Sequence, residues 1–341
     1  AFPGVVTGGN SVVNIARSTE TLFHKKSNEI IHLKSFEEYY KVFSKELFSD
    51  LTIACEYDDK YNSVKARDIN YLSAPFFHGC IEKAKSPTQG SGDITIASPQ
   101  YVGIANVIDS LIIVKQFVYD EKIVTMQELT AAVQANWSGF EELRTLIIKK
   151  GDFFGNDTER SNSIAQRFYQ SLYEFFKDKT NLFGYHRLVG DLIGYNPHHQ
   201  WFGEKTATPD GRYTGDALKF GLGQSEGKDR NGLTALINSI ARVDPNAIGC
   251  GSTVTNIMLD EQLIKNDTNF NKTADLLETY FKNGGVHFQL TYVSRKDLLN
   301  AKKAPEKYKN LRVRVSGFSD YFVNLNEPLQ DDIIRRTIQK E

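Results

Sequence analysis

A chain of 341 residues with 40% hydrophobic and 24% charged residues has room for one large domain or two ordinary ones, with the balance of a soluble globular protein. Its 41 basic and 42 acidic side chains give no electrostatic reason to expect a nucleic acid or an anionic membrane as partner. No apolar run approaches the roughly 20 residues that span a bilayer, and the opening AFPGVVTGGN lacks the basic region and long apolar core of a secretory signal.

The opening, to about Asn28, mixes Gly, Ser and β-branched residues and reads as loop and strand. NEIIHLKSFEEYYKVFSKELFSDL then spaces its apolar residues by three and four, predicting an amphipathic helix over 28–51. PFFHGCIEKAKS predicts another, and GIANVIDSLIIVKQFVYDE one that is apolar nearly all round and therefore buried. MQELTAAVQANW, FEELRTLIIKK and Ser161 to Lys179 continue the helical pattern. Residues 195–233 are Gly-rich with few apolar runs, as in a long ordered loop over a scaffold, a place where function concentrates. TALINSIARVD, TNIMLDEQLI and NKTADLLETYFKNGG return to helix, VHFQLTYVS alternates as a strand, and RKDLLNAKKAPEKYKN predicts a short helix ending near Pro305. Strands and helices interleave without repeats, low-complexity tracts or a Pro-rich linker, which predicts an α/β fold.

Few residues suggest chemistry by themselves. Cys55, Cys80 and Cys250 stand far apart with no metal-ligand spacing, and their sparse, odd number suits reduced core thiols in the cytosol rather than a disulfide framework. His198 and His199 in YNPHHQW have no carboxylate-spaced partner and read as loop hydrogen-bonders rather than metal ligands. GLGQSEG, Gly221 to Gly227, lacks the Gly-Lys-Ser/Thr ending of a phosphate loop and suggests close backbone packing. TPDGR, Thr208 to Arg212, has turn chemistry and alone predicts a surface turn. In LRVRVSGFSDYFVNL, Leu311 to Leu325, Gly317 interrupts a strand-like run, where glycine ordinarily marks a bulge or a close backbone approach.

The residues around Gly317 carry more. RVSGF, Arg314 to Phe318, resembles the RV(S/A)G(Y/F) signature of the glycyl radical enzymes, pyruvate formate-lyase-like, and the likeness continues through YFVNLNEPLQDDIIRRT. VGIANVIDSLIIVKQFVYDE, FGNDTERSNSIA, ATPDGRYTGDAL, GQSEGKDRNGLTALINSIARVD, GVHFQLTYVSRKDLLNA and KAPEKYKNLRVRV resemble successive blocks of the family's C-terminal half, in family order. A radical on a glycine Cα is stabilised by donation from the amide nitrogen and withdrawal into the carbonyl, best where the backbone flattens. Glycine has no side chain to crowd that centre. Val313, Val315, Phe318, Phe322 and Val323 offer apolar flanks that would keep water and dioxygen away.

The resemblance implies the C-terminal half of a ten-stranded α/β barrel with surrounding helices. Residues 1–290 would form the helical and half-barrel region and 291–341 the C-terminal glycyl radical domain. It also implies a catalytic role for Gly317, with no cofactor bound and the radical installed by an S-adenosylmethionine-dependent iron–sulfur activating enzyme. The radical would pass to a catalytic cysteine and then to a small-molecule substrate. The family's cysteine loop would lie upstream of Ala1, and neither Cys55, Cys80 (in a block expected to be helical) nor Cys250 matches it. The expectation is therefore a radical-bearing fragment, or one subunit of a split enzyme, whose partner is a cysteine-bearing N-terminal half. The protein is expected to be cytoplasmic, oligomeric and oxygen-sensitive, with no nucleic-acid or membrane partner. A lyase or dehydratase is favoured; the alternatives are a decarboxylase, a fumarate-adding enzyme, or a non-catalytic radical-carrying spare part or interaction protein. GLTA, GQSEG and Phe318 depart from commoner family forms, which leaves the substrate pocket unassigned.

Overall fold

The computed structural model describes residues 5–7, 12–69, 71–96, 98–187, 190–191, 206–219, 221–243, 255–260, 267–315, 318–335 and 338–339. Its strands are short: β1 (Val5–Thr7), β2 (Val12–Asn14), β3 (Ile94–Ile96), β4 (Gln100–Val102), β5 (Gly190–Asp191), β6 (Asn256–Leu259), β7 (Gln289–Tyr292), β8 (Arg312–Arg314), β9 (Ser319–Tyr321) and β10 (Ile338–Gln339). Strand pairing is parallel in β1–β3, β2–β4–β5 and β10–β6–β7, and antiparallel in β8–β9. Parallel pairs need long crossovers, and here helices supply them. The longer helices are α1 (Phe36–Lys65), α2 (Ile104–Ile113), α3 (Met126–Gln134), α4 (Glu141–Lys150), α5 (Glu159–Phe176), α6 (Gly232–Ala241), α7 (Asp267–Lys282), α8 (Arg295–Lys303) and α9 (Glu327–Arg335). The α/β expectation holds.

Helix α2 is the hub of the main core. Every one of its residues is buried, as its nearly all-round apolar sequence predicts, and it continues as a π-helical turn over Val114–Asp120. Phe168, Tyr169, Leu172 and Phe176 of α5 and Phe43, Leu47 and Leu51 of α1 belong to the same core. A second, smaller core gathers Val293, Leu298 and Ala301 with Val313, Val315, Phe322, Leu329 and Ile333 around the β8–β9 hairpin. Two caps match their sequences. Ser35 accepts from the Glu38 amide at 3.2 Å to begin α1, and Thr125 with Glu128 closes a capping box on α3.

Four expectations require correction. The helix expected over 28–51 is split: a helical turn, Ser27–Ile30, is separated from α1, which starts only after the Ser35 cap and runs on to Lys65. Its second half keeps few apolar residues on the buried face, so periodicity understates its length. The opening is not all loop and strand, since Arg17–Glu20 and Thr21–Lys25 are α- and π-helical turns. PFFHGCIEKAKS forms no α-helix: Gly79 takes a φ of +85°, and a Cβ there would lie 2.9 Å from the Ser91 carbonyl oxygen, so the segment winds as turns over residues 86–93. TNIMLDEQLI opens as buried strand β6, between β7 and β10, not as a helix; residues 261–264 lie outside the described residues. A short, fully buried apolar run looks the same in either structure.

Candidate functional site

The interrupted run around Gly317 folds as a hairpin. Arg312, Val313 and Arg314 pair with Tyr321, Asp320 and Ser319, and the Val315 amide donates to the Phe318 carbonyl at 2.9 Å across the loop. Ser316 and Gly317 themselves lie outside the described residues. Alternation sends Val313 and Val315 into the second core, where Phe322 joins them. Phe318 departs from the expected apolar shield, being 45% exposed. The hairpin is clamped to strand β7 on one side. The Arg314 amide donates to Thr291 Oγ1 at 3.3 Å, and its guanidinium Nε donates to Gln289 Oε1 at 3.1 Å. From the other side, Gln330 Nε2 of α9 donates to the Phe322 carbonyl at 2.9 Å. The base of the loop is thus fixed to both the parallel sheet and the last long helix.

A cleft of about 820 Å³ opens between α4, the segments 210–217 and 225–228, and one face of α9 from Glu327 to Arg335. Its floor is a buried charge network that sequence reading did not foresee. TPDGR is not a surface turn: Thr208, Asp210 and Arg212 are all buried. The Gly211 amide donates to the Thr208 carbonyl at 3.1 Å, and Gly211 sits at a φ of +86°, where a Cβ would lie 2.8 Å from Ile148 Cδ1 of α4. Glycine is therefore required both for its dihedral and for the close approach. Lys228 Nζ reaches Asp210 Oδ2 at 2.5 Å, the Asp210 carbonyl at 2.9 Å and Asp109 Oδ2 of α2 at 3.6 Å, and lies 4.5 Å from the centre of the Phe153 ring. Asp109 also accepts from Ser225 Oγ at 2.7 Å and from the Phe154 amide at 2.9 Å. Asp210 accepts from Asn106 Nδ2 at 3.1 Å and is joined by the Thr208 hydroxyl.

The two carboxyls respond oppositely to this setting. Burial pushes Asp109 up from the ordinary 3.8 to about 6, against the pull of Lys228. Burial also pushes at Asp210, but the charge and hydrogen bonds of Lys228, with Thr208, outweigh it and hold Asp210 below its ordinary value. Asp109 is raised in the fold, so its contribution to stability is fully present below pH 3.8 and is lost as pH rises through about 6. Relative to an Asp109→Asn variant, wild-type stability should therefore fall by about 2 kcal/mol between pH 4 and pH 7.5. Urea unfolding of both proteins across that range measures the difference, and a flat difference would contradict the burial argument.

The other candidates sort simply. Gly223 and Gly227 have φ values of +132° and +73°, while a Cβ at Gly223 would meet only Ile240 Cδ1 at 3.9 Å and at Gly227 nothing within 4 Å. Their glycines answer to backbone conformation rather than to the close packing expected of them. Cys55 is buried in α1, with its thiol pushed up to about 11 by that burial, and Cys80 is buried with Sγ 2.9 Å from Ser91 Oγ. Cys80 stands among turns rather than on the expected helix. His198, His199 and Cys250 lie outside the described residues.

Comparison with known families decides the relationship. Residues 14–190 match the family described as pyruvate formate lyase-like, and residues 218–323, which include Ser225 and Lys228 of the cleft floor and the hairpin, match the glycine radical family. The chain belongs to the glycyl radical, pyruvate formate lyase-like family. Among curated relatives it is 32% identical over 310 residues to trans-4-hydroxy-L-proline dehydratase of Clostridioides difficile, covering 90% of this chain and 39% of that protein. It is 28% identical over 341 residues to (2S)-3-sulfopropanediol dehydratase of Klebsiella oxytoca, covering 98% of this chain and 40% of the relative. Its fold superimposes on the B12-independent glycerol dehydratase of Clostridium butyricum with a TM-score of 0.88 and 30% identity, covering 98% of this chain and 44% of the other. This member of the family thus spans about two fifths of the length of these relatives.

Proposed function

We propose that this chain is the radical-bearing portion of a glycyl radical enzyme of the lyase or dehydratase type, with the radical stored on Gly317. The observation that carries this is the coincidence of the glycine radical match, residues 218–323, with a hairpin whose base is clamped to β7 and α9. The parallel sheets β2–β4–β5 and β10–β6–β7 support its being half of a barrel, the C-terminal half by family order. The separate core around the hairpin supports a C-terminal radical domain beginning near residue 291. Dehydratases among the relatives favour carbon–heteroatom cleavage of a small polar substrate after hydrogen abstraction. The cysteine that abstracts that hydrogen lies outside these residues, and a radical S-adenosylmethionine activase, acting in the cytoplasm, removes the Gly317 hydrogen.

Incubation with such an activase and S-adenosylmethionine under anoxia should give a doublet in electron paramagnetic resonance. Admission of air should then cut the backbone at Gly317, read as two fragments by mass spectrometry. Neither doublet nor cleavage would end the proposal.

A further inference from the structure

Helix α1 has two different outer faces. Along its first half the exposed positions are Glu37, Glu38, Lys41, Lys45 and Ser49, as solvent demands. Along its second half, Leu51, Ala54, Cys55, Asp58 and Asn62 face inward, and the opposite side carries Ile53, Tyr57, Tyr61 and Val64. Spacings of four, four and three put these last residues on one stripe, and they are 57%, 64%, 49% and 58% exposed. Tyr71 and Leu72, just beyond the helix end, are 73% and 88% exposed. Nearly half of the large exposed apolar side chains among the described residues fall between Ile53 and Ile81. Scattered exposed apolar residues need no explanation, but a concentrated face marks an interaction surface.

The occupant follows from the superposition. Almost all of this chain, 98%, fits on only 44% of a single longer chain of the same fold, and a portion supplying the rest of that architecture would seat on surfaces left open here. We infer that the α1 stripe, with Tyr71 and Leu72, is the docking face for the cysteine-bearing portion of the enzyme, an inference that rests on the function proposed above. Two tyrosines at its centre suit an interface anchor, having large apolar area and little entropy to lose.

The test titrates the 341-residue chain, and a Tyr57→Lys/Tyr61→Lys variant, into the polypeptide carrying the family's catalytic cysteine. Hydrogen exchange and sedimentation velocity accompany the titration. Both substitutions are at exposed positions, so the isolated variant should melt at the wild-type temperature. Wild type should bind, with amide exchange slowed across residues 53–72, and the variant should bind at least about tenfold more weakly. Equal affinities would overturn the docking face while leaving the radical role of Gly317 intact. Failure of wild type to bind would overturn both the face and the need for an external cysteine, whereas the role of Gly317 is tested separately by the radical assay. A wild-type homodimer that the substitutions dissociate would assign the face to a second copy and also overturn the proposal.

Discussion

Replacing Gly317 with alanine is expected to abolish the radical doublet and the air-induced backbone cut together. The reason is chemical before it is conformational. A captodative radical needs a flat Cα with nothing to crowd it, and an added methyl group both crowds the centre and biases the backbone away from planarity. The flanks of the loop are independent of that methyl group: Val313 and Val315 are held by the second core, and Arg314 by Thr291 and Gln289. The variant should therefore keep the far-ultraviolet circular dichroism and cooperative melting of wild type. Ser316→Ala is the control, expected to retain the doublet because its Cβ is already present. A full-strength doublet from Gly317→Ala would move the radical elsewhere in the chain.

Lys228→Met should cost about 3–5 kcal/mol, because it strands two buried carboxyls that one ammonium now serves. Against a total stability of about 5–15 kcal/mol for a typical domain, that loss is large. Chemical denaturation in urea reads it directly. Adding Asp210→Asn to Lys228→Met should recover part of the loss, since the unpaired charge is removed with its partner. The rescue separates electrostatic stranding from lost packing against Phe153. A single variant within about 0.5 kcal/mol of wild type would mean that the network does not hold the cleft floor.

Legibility of this protein in its sequence followed the range of the forces involved. The burial of α2 was readable because residues 104–113 are apolar nearly all round, with only Asn106, Asp109 and Ser110 polar, and no partner need be known to say so. The extents of α3 and α5 were readable to within about three residues because helical apolar spacing is a local property. The segment PFFHGCIEKAKS misled because its apolar spacing is helical, while Gly79 obeys a contact with Ser91, twelve positions on. Strand β6 misled because its burial is set by neighbours at 289–292 and 338–339.

The candidate site divides in the same way. The sequence by itself determined the glycine, its RVSGF setting and the turn chemistry of TPDGR, all properties of adjacent residues. Only the tertiary structure decided that Asp210 is buried against Asn106, 104 positions away, and Lys228, 18 positions away. Only it fastened the β8–β9 hairpin to β7 through Arg314. A turn writes the same letters whether water or a lysine lies beyond it, because local dihedral preference carries no record of what the long-range fold will bring alongside.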